Sequence, residues 1–352
     1  MRFPKLVGSA GLLAVTILSL WAGDNRVAPV SIAFVGNSFQ YVNDLPRMME
    51  AISQGRIQQD SVLHGSLSFV SLLQKGNGMT GRWNSTNTYN DDGSLDFGSC
   101  TVRQLLLGYD DQLANFEDYY VVDGKNPCFE NPDYLDYQES IATRRSSWDY
   151  VFLNDQSIRP VYEGKRYKSA EALQEEYAPL ILSSGATPIL FMTWGYWRDD
   201  YQNMTDVVDV PTFTSILYQA YNEYAEVLDA VLPSRQKSKL APVGLAFLLV
   251  YEENPAFWQT LFGKDSFHPS PSGSYLLACV LYATIYNQLP PVSATYNSSE
   301  LWTRARRMQI ETDYDPHLPT TDEALYLRWI AKRVALEGQK PKSLVYDIEY
   351  AY

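Results

Sequence analysis

Short apolar runs that alternate with helix-like stretches constrain the fold of this 352-residue chain more than any other feature of its sequence. Five runs have the length and composition of buried strands, namely residues 30–35, 61–64, 150–153, 187–192 and 241–250. Helices are predicted between and after them, at residues 45–52, 170–183, 211–232 and 272–287. Strands separated by helices indicate βαβ units, so we predict an α/β fold with a mainly parallel sheet covered by helices on both faces.

The alternation is interrupted once and ends before the C-terminus. Residues 76–147 are rich in Asn, Asp, Gly and Tyr, which is typical of a long loop-rich insertion. We predict one catalytic domain over residues 28–290 that includes this insertion. Residues 291–352 are predicted to form a helical extension packed on the same domain, with helices near 300–310 and 322–336.

The N-terminus resembles an export leader. Arg2 and Lys5 precede an uncharged, largely apolar stretch that runs to Gly23, and a cleavage site follows Ala22. We therefore predict a signal peptide over residues 1–22 and a secreted protein. Leu20 occupies the −3 position of this cleavage site, where a small residue is usual. The alternative is therefore an uncleaved anchor with a lumenal or extracellular domain.

Glycosylation motifs and cysteines agree with the secretory pathway. Three Asn-x-Ser/Thr motifs begin at Asn84, Asn203 and Asn297. Cys100 and Cys128 lie in polar, loop-like sequence and could form a disulfide in an oxidising compartment. Cys279 lies in an apolar run and is predicted to be a buried thiol.

The net charge and the small number of metal-ligating residues argue against several classes of partner. With 28 Lys+Arg against 41 Asp+Glu, the formal net charge is −13. Nucleic acid is not an expected partner, because binding its phosphates requires a basic face. Only 3 His and 3 Cys are present, and we predict neither a metal nor a cofactor. Aromatic residues make up 14% of the chain, a surplus that composition alone does not explain.

Three polar clusters follow the predicted strands or precede the last predicted helix. They are Gly36-Asn37-Ser38, Asn154-Asp155, and Asp265 with His268 three residues later. Functional groups of α/β sheets gather at the carboxyl ends of strands. A serine hydroxyl there needs a base to become a nucleophile, and that base needs an orienting group, so the clusters predict a Ser-His-Asp site.

Each cluster also has a purely structural interpretation. Ser38 could be a helix cap, the Asn-Asp pair could form a strand-end turn, and the Asp-His pair could be a loop salt bridge. We favour the functional interpretation because all three clusters occur together, in an order that suits one site.

At these residues the chain resembles the SGNH (GDSL-like) hydrolases. The match consists of four blocks in family order, Gly36-Asn37-Ser38, Gly65, Asn154-Asp155 and Asp265-Ser266-Phe267-His268, and it covers about residues 30–287. The resemblance implies a three-layer α/β/α sandwich with the flavodoxin-like strand order 2-1-3-4-5. That fold agrees with the five strands counted independently.

The resemblance also assigns roles. It implies that Ser38 is the nucleophile, His268 the general base and Asp265 the acid that orients the base. It implies an oxyanion hole formed by the N–H groups of Ser38 and Gly65 and by the side chain of Asn154.

The blocks depart from the family pattern in places. The first reads Gly-Asn-Ser-Phe rather than Gly-Asp-Ser-Leu, and the third has Phe152 where the family often has glycine. Gly76, Gly78 or the N–H of Ser66 could supply the oxyanion donor in place of Gly65.

The function predicted from these residues is ester hydrolysis. The substrate expected is a small O-acyl group, such as acetyl, on a carbohydrate, processed through an acyl-enzyme. Trp194 and Trp197 follow the fourth strand, and exposed indole faces suit sugar rings, so both residues are predicted to bind substrate. Asp155, at the end of the third strand, is also predicted to bind substrate. The alternatives are an O-acyltransferase that uses the same triad and a non-catalytic glycan-binding protein on this fold. The sequence leaves the oligomeric state open.

Rival motifs lack their structural context. Residues 76–81 fit G-x-G-x-x-G, but polar loop-like sequence follows where a dinucleotide site needs a helix. Ser38 lacks the second glycine of a G-x-S-x-G elbow. Ser234 begins an S-x-x-K sequence in a hydrophilic connection without the companion motifs.

Overall fold

A computed structural model describes residues 28–43, 45–63, 67–74, 102–107, 147–197, 209–291 and 318–345. Five parallel strands form one sheet in the order β2-β1-β3-β4-β5. Their bounds are β1 Val30–Gly36, β2 Ile57–Leu63, β3 Tyr150–Leu153, β4 Thr187–Phe191 and β5 Lys239–Ala241. This is the strand order that the SGNH resemblance implies, so the predicted fold class is confirmed.

Helices cover both faces of the sheet. In chain order the helices of the described residues are α1 Ser38–Tyr41, α2 Leu45–Ile52, α3 Phe69–Gln74, α4 Val102–Leu107, α5 Glu163–Ala172, α6 Ala178–Ser184, α7 Val210–Val231, α8 Val243–Glu253, α9 Pro255–Gln259, α10 Pro271–Tyr286 and α11 Thr321–Ala331. Helices α2, α10 and α11 pack together as one layer, and α4 to α7 pack together as the other. The C-terminal extension therefore adds to an outer layer through α11.

The central strand β1 determines where the polar loops meet. Ile32, Phe34 and Val35 have no exposed surface, as expected for a parallel strand covered on both faces. Phe34 pairs with Phe152 of β3, and their rings lie 4.9 Å apart in an edge-to-face contact. Because β1 and β3 are neighbours running in the same direction, the residues that follow them lie side by side at one edge of the sheet.

The predicted strand at residues 241–250 is wrong. Strand β5 ends at Ala241, and the apolar run that follows forms α8. All residues from Val243 to Val250 are buried, so this helix is apolar on every side. A buried helix and a buried strand have the same composition, which is why a short apolar run does not distinguish them.

The other element predictions hold with shifted ends. Strand β2 begins at Ile57 rather than at residue 61. The residues between these two positions are polar, so the apolar run marks only the end of the strand. The helix predicted at 170–183 is part of a longer helical stretch, with a π-helical turn at Leu173–Tyr177 between α5 and α6. The helices predicted at 45–52, 211–232, 272–287 and 322–336 correspond to α2, α7, α10 and α11, the last extended by a π turn at Lys332–Leu336.

Several predictions fall on residues outside the described ranges. They include the leader, the helix near 300–310, and the insertion apart from α4 and residue 147. Within the described ranges, no helix combines the length and apolar character needed to cross a membrane.

Gly244, at the start of α8, tests how closely this helix packs against the sheet. A Cβ atom at Gly244 would meet the backbone carbonyl oxygen of Thr193 and would lie 2.8 Å from the Met192 methyl group. We expect Gly244→Ala to lower the free energy of unfolding by about 1–3 kcal/mol, measured by urea denaturation. The matched control is Gly164→Ala in α5, where a Cβ meets nothing within 4 Å, and which should leave stability unchanged or slightly raised.

Candidate active site

Ser38 lies immediately beyond β1, as the first residue of α1. The side-chain oxygen of Asn37 accepts a hydrogen bond from the Phe39 N–H at 3.2 Å and caps this short helix. No described residue accepts a hydrogen bond from the Ser38 N–H. Ser38 thus combines a hydroxyl group with a backbone donor that the helix does not use.

A buried network of three side-chain amides lies beneath Ser38. Asn37, Gln40 and Asn154 are each at most 3% exposed. Gln40 Nε2 donates to the Val35 carbonyl at 3.0 Å and to Asn154 Oδ1 at 2.6 Å. Asn154 Nδ2 in turn donates to Asn37 Oδ1 at 2.9 Å. Each amide therefore fixes the orientation of the next, starting from a backbone carbonyl of β1.

The network also occupies the hydrogens of Asn154. Its Nδ2 donates to the carbonyl of Asp155 at 3.0 Å as well as to Asn37. Both amide hydrogens are engaged within the protein, so donation to an oxyanion would require one bond to be exchanged. The oxyanion role of Asn154 stays a prediction, and Gly65 lies outside the described residues.

Asp265 and His268 form a directly hydrogen-bonded pair. The His268 Nδ1 and Asp265 Oδ2 atoms are 2.5 Å apart. The other carboxylate oxygen, Oδ1, accepts from the N–H groups of Phe267 and His268 at 3.1 and 3.0 Å. Ser266, between them, has φ of 64°, a left-handed conformation that closes the turn around the carboxylate.

These bonds change the acidity of Asp265. Burial on its own raises the pKa of Asp265. The hydrogen bond and charge of His268, together with the N–H groups of Phe267 and His268, outweigh burial and hold that pKa below its ordinary value. Asp265 is therefore an ionised acceptor at neutral pH, suited to holding the imidazole of His268.

The imidazole of His268 lies beside the helix that Ser38 begins. Its ring meets the Phe39 ring edge to face at 5.6 Å and the Phe267 ring at 3.9 Å. His268 Nε2 is buried and has no hydrogen-bond partner among the described residues. The nitrogen opposite the Asp265 bond is thus available, next to the residue that follows Ser38.

The Ser38 side chain contacts Tyr41, one turn later in α1. Burial raises the pKa of Tyr41, and a hydrogen bond with the Ser38 side chain acts in the opposite direction. The Tyr41 hydroxyl therefore remains protonated at neutral pH. In this arrangement His268 is held by Asp265, and its Nε2 makes no hydrogen bond to Ser38.

Asp155 is enclosed rather than open to a substrate. It has no exposed surface, and its carboxylate accepts from the Tyr224 hydroxyl at 2.9 Å and from the Phe69 and Gln156 N–H groups at 3.2 and 2.8 Å. Its own N–H donates to the Tyr221 hydroxyl at 3.1 Å. Asp155 therefore ties β3 to α3 and α7, in place of the predicted contact with substrate.

The enclosure of Asp155 affects the acidity of the groups around it. Burial raises the pKa of Asp155, and a hydrogen bond from Ser169 and the charge of Arg159 are among the influences that oppose it. Burial, followed by the nearby charge of Asp155, also raises the pKa values of Tyr177, Tyr221 and Tyr224. The hydroxyl groups of these tyrosines are therefore neutral at physiological pH.

The two tryptophans predicted to bind substrate differ in placement. Trp194 has no exposed surface, and its two faces stack on Phe39 and Phe247, each at 4.5 Å. It therefore presents no ring face to a ligand, which corrects the expectation for this residue. Trp197 is 43% exposed at the same end of β4, and substrate binding by Trp197 stays a prediction.

Sequence reasoning missed several residues that build the site. Gln40 was not singled out, although a polar residue two positions after Ser38 in an apolar helix is a detectable signal. Tyr221 and Tyr224 are spaced to share one face of α7, but nothing in the sequence links that face to Asp155.

The remaining predictions concern glycosylation, cysteines and metal binding. The residues outside the described ranges are the sequon asparagines Asn84, Asn203 and Asn297 and the cysteines Cys100 and Cys128. Among the described residues, no group of His, Cys, Asp and Glu could hold a metal ion. Cys279 is a buried thiol as predicted, and burial raises its pKa to about 12.

No family model and no curated protein matches the chain. The chain is similar in fold to the crystal structure of a DUF4886 family protein from Bacteroides uniformis ATCC 8492, with TM-score 0.54 and 14% identity over 90% of this chain and 98% of that one. A suspected SGNH hydrolase from Slackia heliotrinireducens gives TM-score 0.43 and 17% identity, covering 73% and 99% of the two chains. A gut microbial diltiazem-metabolizing enzyme gives TM-score 0.37 and 12% identity, covering 73% and 47%. The chain therefore has a three-layer α/β/α fold with the strand order that the resemblance to the SGNH hydrolases implies.

The Asp265–His268 pair predicts a pH dependence of stability. Since the folded-state pKa of Asp265 lies below its unfolded value, its contribution is present above about pH 4 and is lost as the pH falls through the folded-state pKa. In urea unfolding, wild type should be more stable than Asp265→Asn at pH 7, and the difference should shrink in acid. Glu171→Gln, which removes an exposed carboxylate on α5, is the control. A wild-type advantage that is independent of pH would contradict the assignment.

Proposed function

We propose that the protein is a serine esterase in which Ser38, His268 and Asp265 form the catalytic triad. The observation that carries the proposal is the state of His268. Its Nδ1 is held by the Asp265 carboxylate at 2.5 Å, and its Nε2 is buried without a described partner beside α1. An imidazole that is fixed at one nitrogen and available at the other is what a general base requires.

The first chemical step would form a tetrahedral intermediate. The Ser38 oxygen attacks the ester carbonyl carbon, and His268 Nε2 takes the hydroxyl proton. The Asp265 carboxylate stabilises the resulting imidazolium by the bond it already makes to Nδ1. For this step the Ser38 hydroxyl must come within hydrogen-bonding reach of His268 Nε2.

The oxyanion would rest first on the Ser38 N–H. This donor is unused among the described residues and belongs to the attacking residue, so it lies next to the developing negative charge. Asn154 and the donor from the glycine block are the proposed companions. Asn154 is at least held in place, because Gln40 and Asn37 fix both ends of its amide.

In the second step the tetrahedral intermediate collapses to the acyl-enzyme, and His268 gives its proton to the oxygen of the leaving alcohol. In the third step the same imidazole takes a proton from water as the water oxygen attacks the acyl carbonyl. His268 then returns that proton to the Ser38 oxygen as the bond to the acyl carbon breaks and the carboxylic acid leaves. No redox change or external cofactor is needed for this sequence.

A small acyl group on a carbohydrate is the substrate that we propose. The exposed indole of Trp197 lies at the end of β4, at the same edge as Ser38, and could stack on a sugar ring. The enclosed surroundings of the His268 ring, packed by Phe39 and Phe267, favour a short acyl chain.

Replacing Ser38 tests the nucleophile. We expect Ser38→Ala to lower kcat for a short-chain aryl ester by roughly a thousand-fold or more, because no other group in the triad can form the acyl-enzyme. The control is Ser234→Ala, which removes the serine of the S-x-x-K sequence in a short 3-10 helix and should keep wild-type kcat. Equal activity of Ser38→Ala and wild type would refute the triad.

Replacing Trp197 tests the carbohydrate substrate. We expect Trp197→Ala to raise KM for acetylated oligosaccharides by about five- to ten-fold, in line with the loss of one stacking contact, and to leave KM for a small aryl acetate unchanged. Tyr167→Ala, which removes another exposed aromatic ring on α5, is the control. A panel on which only long-chain lipid esters are cleaved would contradict the substrate class.

A further inference from the structure

The backbone on both sides of His268 is fixed by hydrogen bonds to three consecutive carbonyl groups. The Phe267 carbonyl accepts from Trp194 Nε1 at 3.0 Å. The His268 carbonyl accepts from the Gly263 N–H at 2.8 Å, and the Pro269 carbonyl accepts from Asn43 Nδ2 at 2.7 Å. The Gly263 bond is internal to the turn, but the other two come from distant parts of the chain.

Asn43 connects the base directly to the nucleophile segment. It follows α1, five residues after Ser38, and it is buried with φ of 58°. Its Nδ2 donates to the Ser274 hydroxyl at 2.9 Å as well as to the Pro269 carbonyl. The left-handed backbone and the two bonds together hold the end of α1 against the loop that contains His268.

Trp194 makes the corresponding connection on the other side of His268. Its ring stacks on Phe39, the residue after Ser38, with an interplanar angle of 18°. The opposite face stacks on Phe247 of α8 at 8°, which leaves the ring little freedom to tilt. From this fixed plane the indole N–H reaches the Phe267 carbonyl.

We propose that Trp194 and Asn43 are positioning residues that set the separation and orientation of Ser38 and His268. The inference rests on the proposed function, since it concerns the geometry of that triad. The Asp265–His268 turn lies in a loop, and its own bonds fix the turn internally without fixing its place relative to α1. Trp194 and Asn43 supply that placement from the nucleophile side.

The placement matters because rate depends steeply on the distance between nucleophile and base. A misplacement of about 1 Å can lower a rate by about a hundred-fold. Substrate affinity is not expected to change to the same extent, because neither residue is exposed. A positioning role therefore predicts a loss of kcat with KM nearly unchanged.

The experiment uses two pairs of matched variants. Trp194→Phe keeps an aromatic ring and removes the indole donor, and its control is Trp148→Phe, which removes a buried indole bond to the Leu105 carbonyl at 2.9 Å near the start of β3. Asn43→Gly keeps the left-handed backbone and removes the amide, and its control is Asn287→Gly, at φ of 52° after α10. We expect kcat to fall about ten-fold or more in each test variant and to change less than two-fold in each control.

A second measurement separates this inference from the proposed function. Hydrogen–deuterium exchange of the amides at 263–270 should rise in Trp194→Phe and Asn43→Gly and stay at the wild-type level in both controls. If wild type has no Ser38-dependent activity, the proposed function fails and exchange alone decides the positioning role. Unchanged exchange in the test variants, or kcat values equal to those of their controls in an active enzyme, would overturn it. If one test variant does not fold, the other still decides the proposal, because Trp194 and Asn43 are tested independently.

Discussion

The buried amides of Asn37, Gln40 and Asn154 form the interaction on which the rest of the site depends. They lie where β1 and β3 end, and they join these strands to α1 by hydrogen bonds that solvent does not reach. Gly36 is required there, because a Cβ would meet Asn154 Oδ1 and Gln40 Nε2. Since buried polar groups are costly unless they are paired, the network permits one arrangement of the turn that presents Ser38.

A second set of contacts places His268 next to that turn. The rings of Phe247, Trp194 and Phe39 form an apolar stack next to Ser38 and His268. The Trp194 indole N–H and the Asn43 side-chain amide donate hydrogen bonds to the backbone on either side of His268. The aromatic surplus of the sequence is thereby partly explained. Phe39, Trp194 and Phe247 are buried and support the site rather than bind a ligand, whereas Trp197 is 43% exposed.

The strands and helices were predictable from the sequence wherever the pattern of apolar and polar residues reflects which sides of the element are buried. Strands β1, β3 and β4 follow from their apolar runs, and α7 and α10 follow from their length. The run at 241–250 was misassigned because α8 is apolar on every side, which removes the periodicity that identifies a helix.

The sequence predicts the proposed reactive groups but not the contacts that support them. Ser38, Asp265 and His268 follow strands or precede a helix, and their order in the chain is the basis of the proposed triad. The parts played by Asn43, Trp194 and Asp155 depend on contacts between residues far apart in sequence, such as the 226 positions that separate Asn43 from Pro269. No local pattern encodes such contacts.

The central claim is that Ser38 is a nucleophile activated by His268. Its most direct test is to treat the folded protein with a serine-directed fluorophosphonate and to locate the adduct by peptide mass spectrometry. The account predicts one adduct, on Ser38, that is lost when the protein is denatured first and is strongly reduced in His268→Ala. Labelling that is absent, that lies on another residue, or that is equal in His268→Ala and wild type would contradict it.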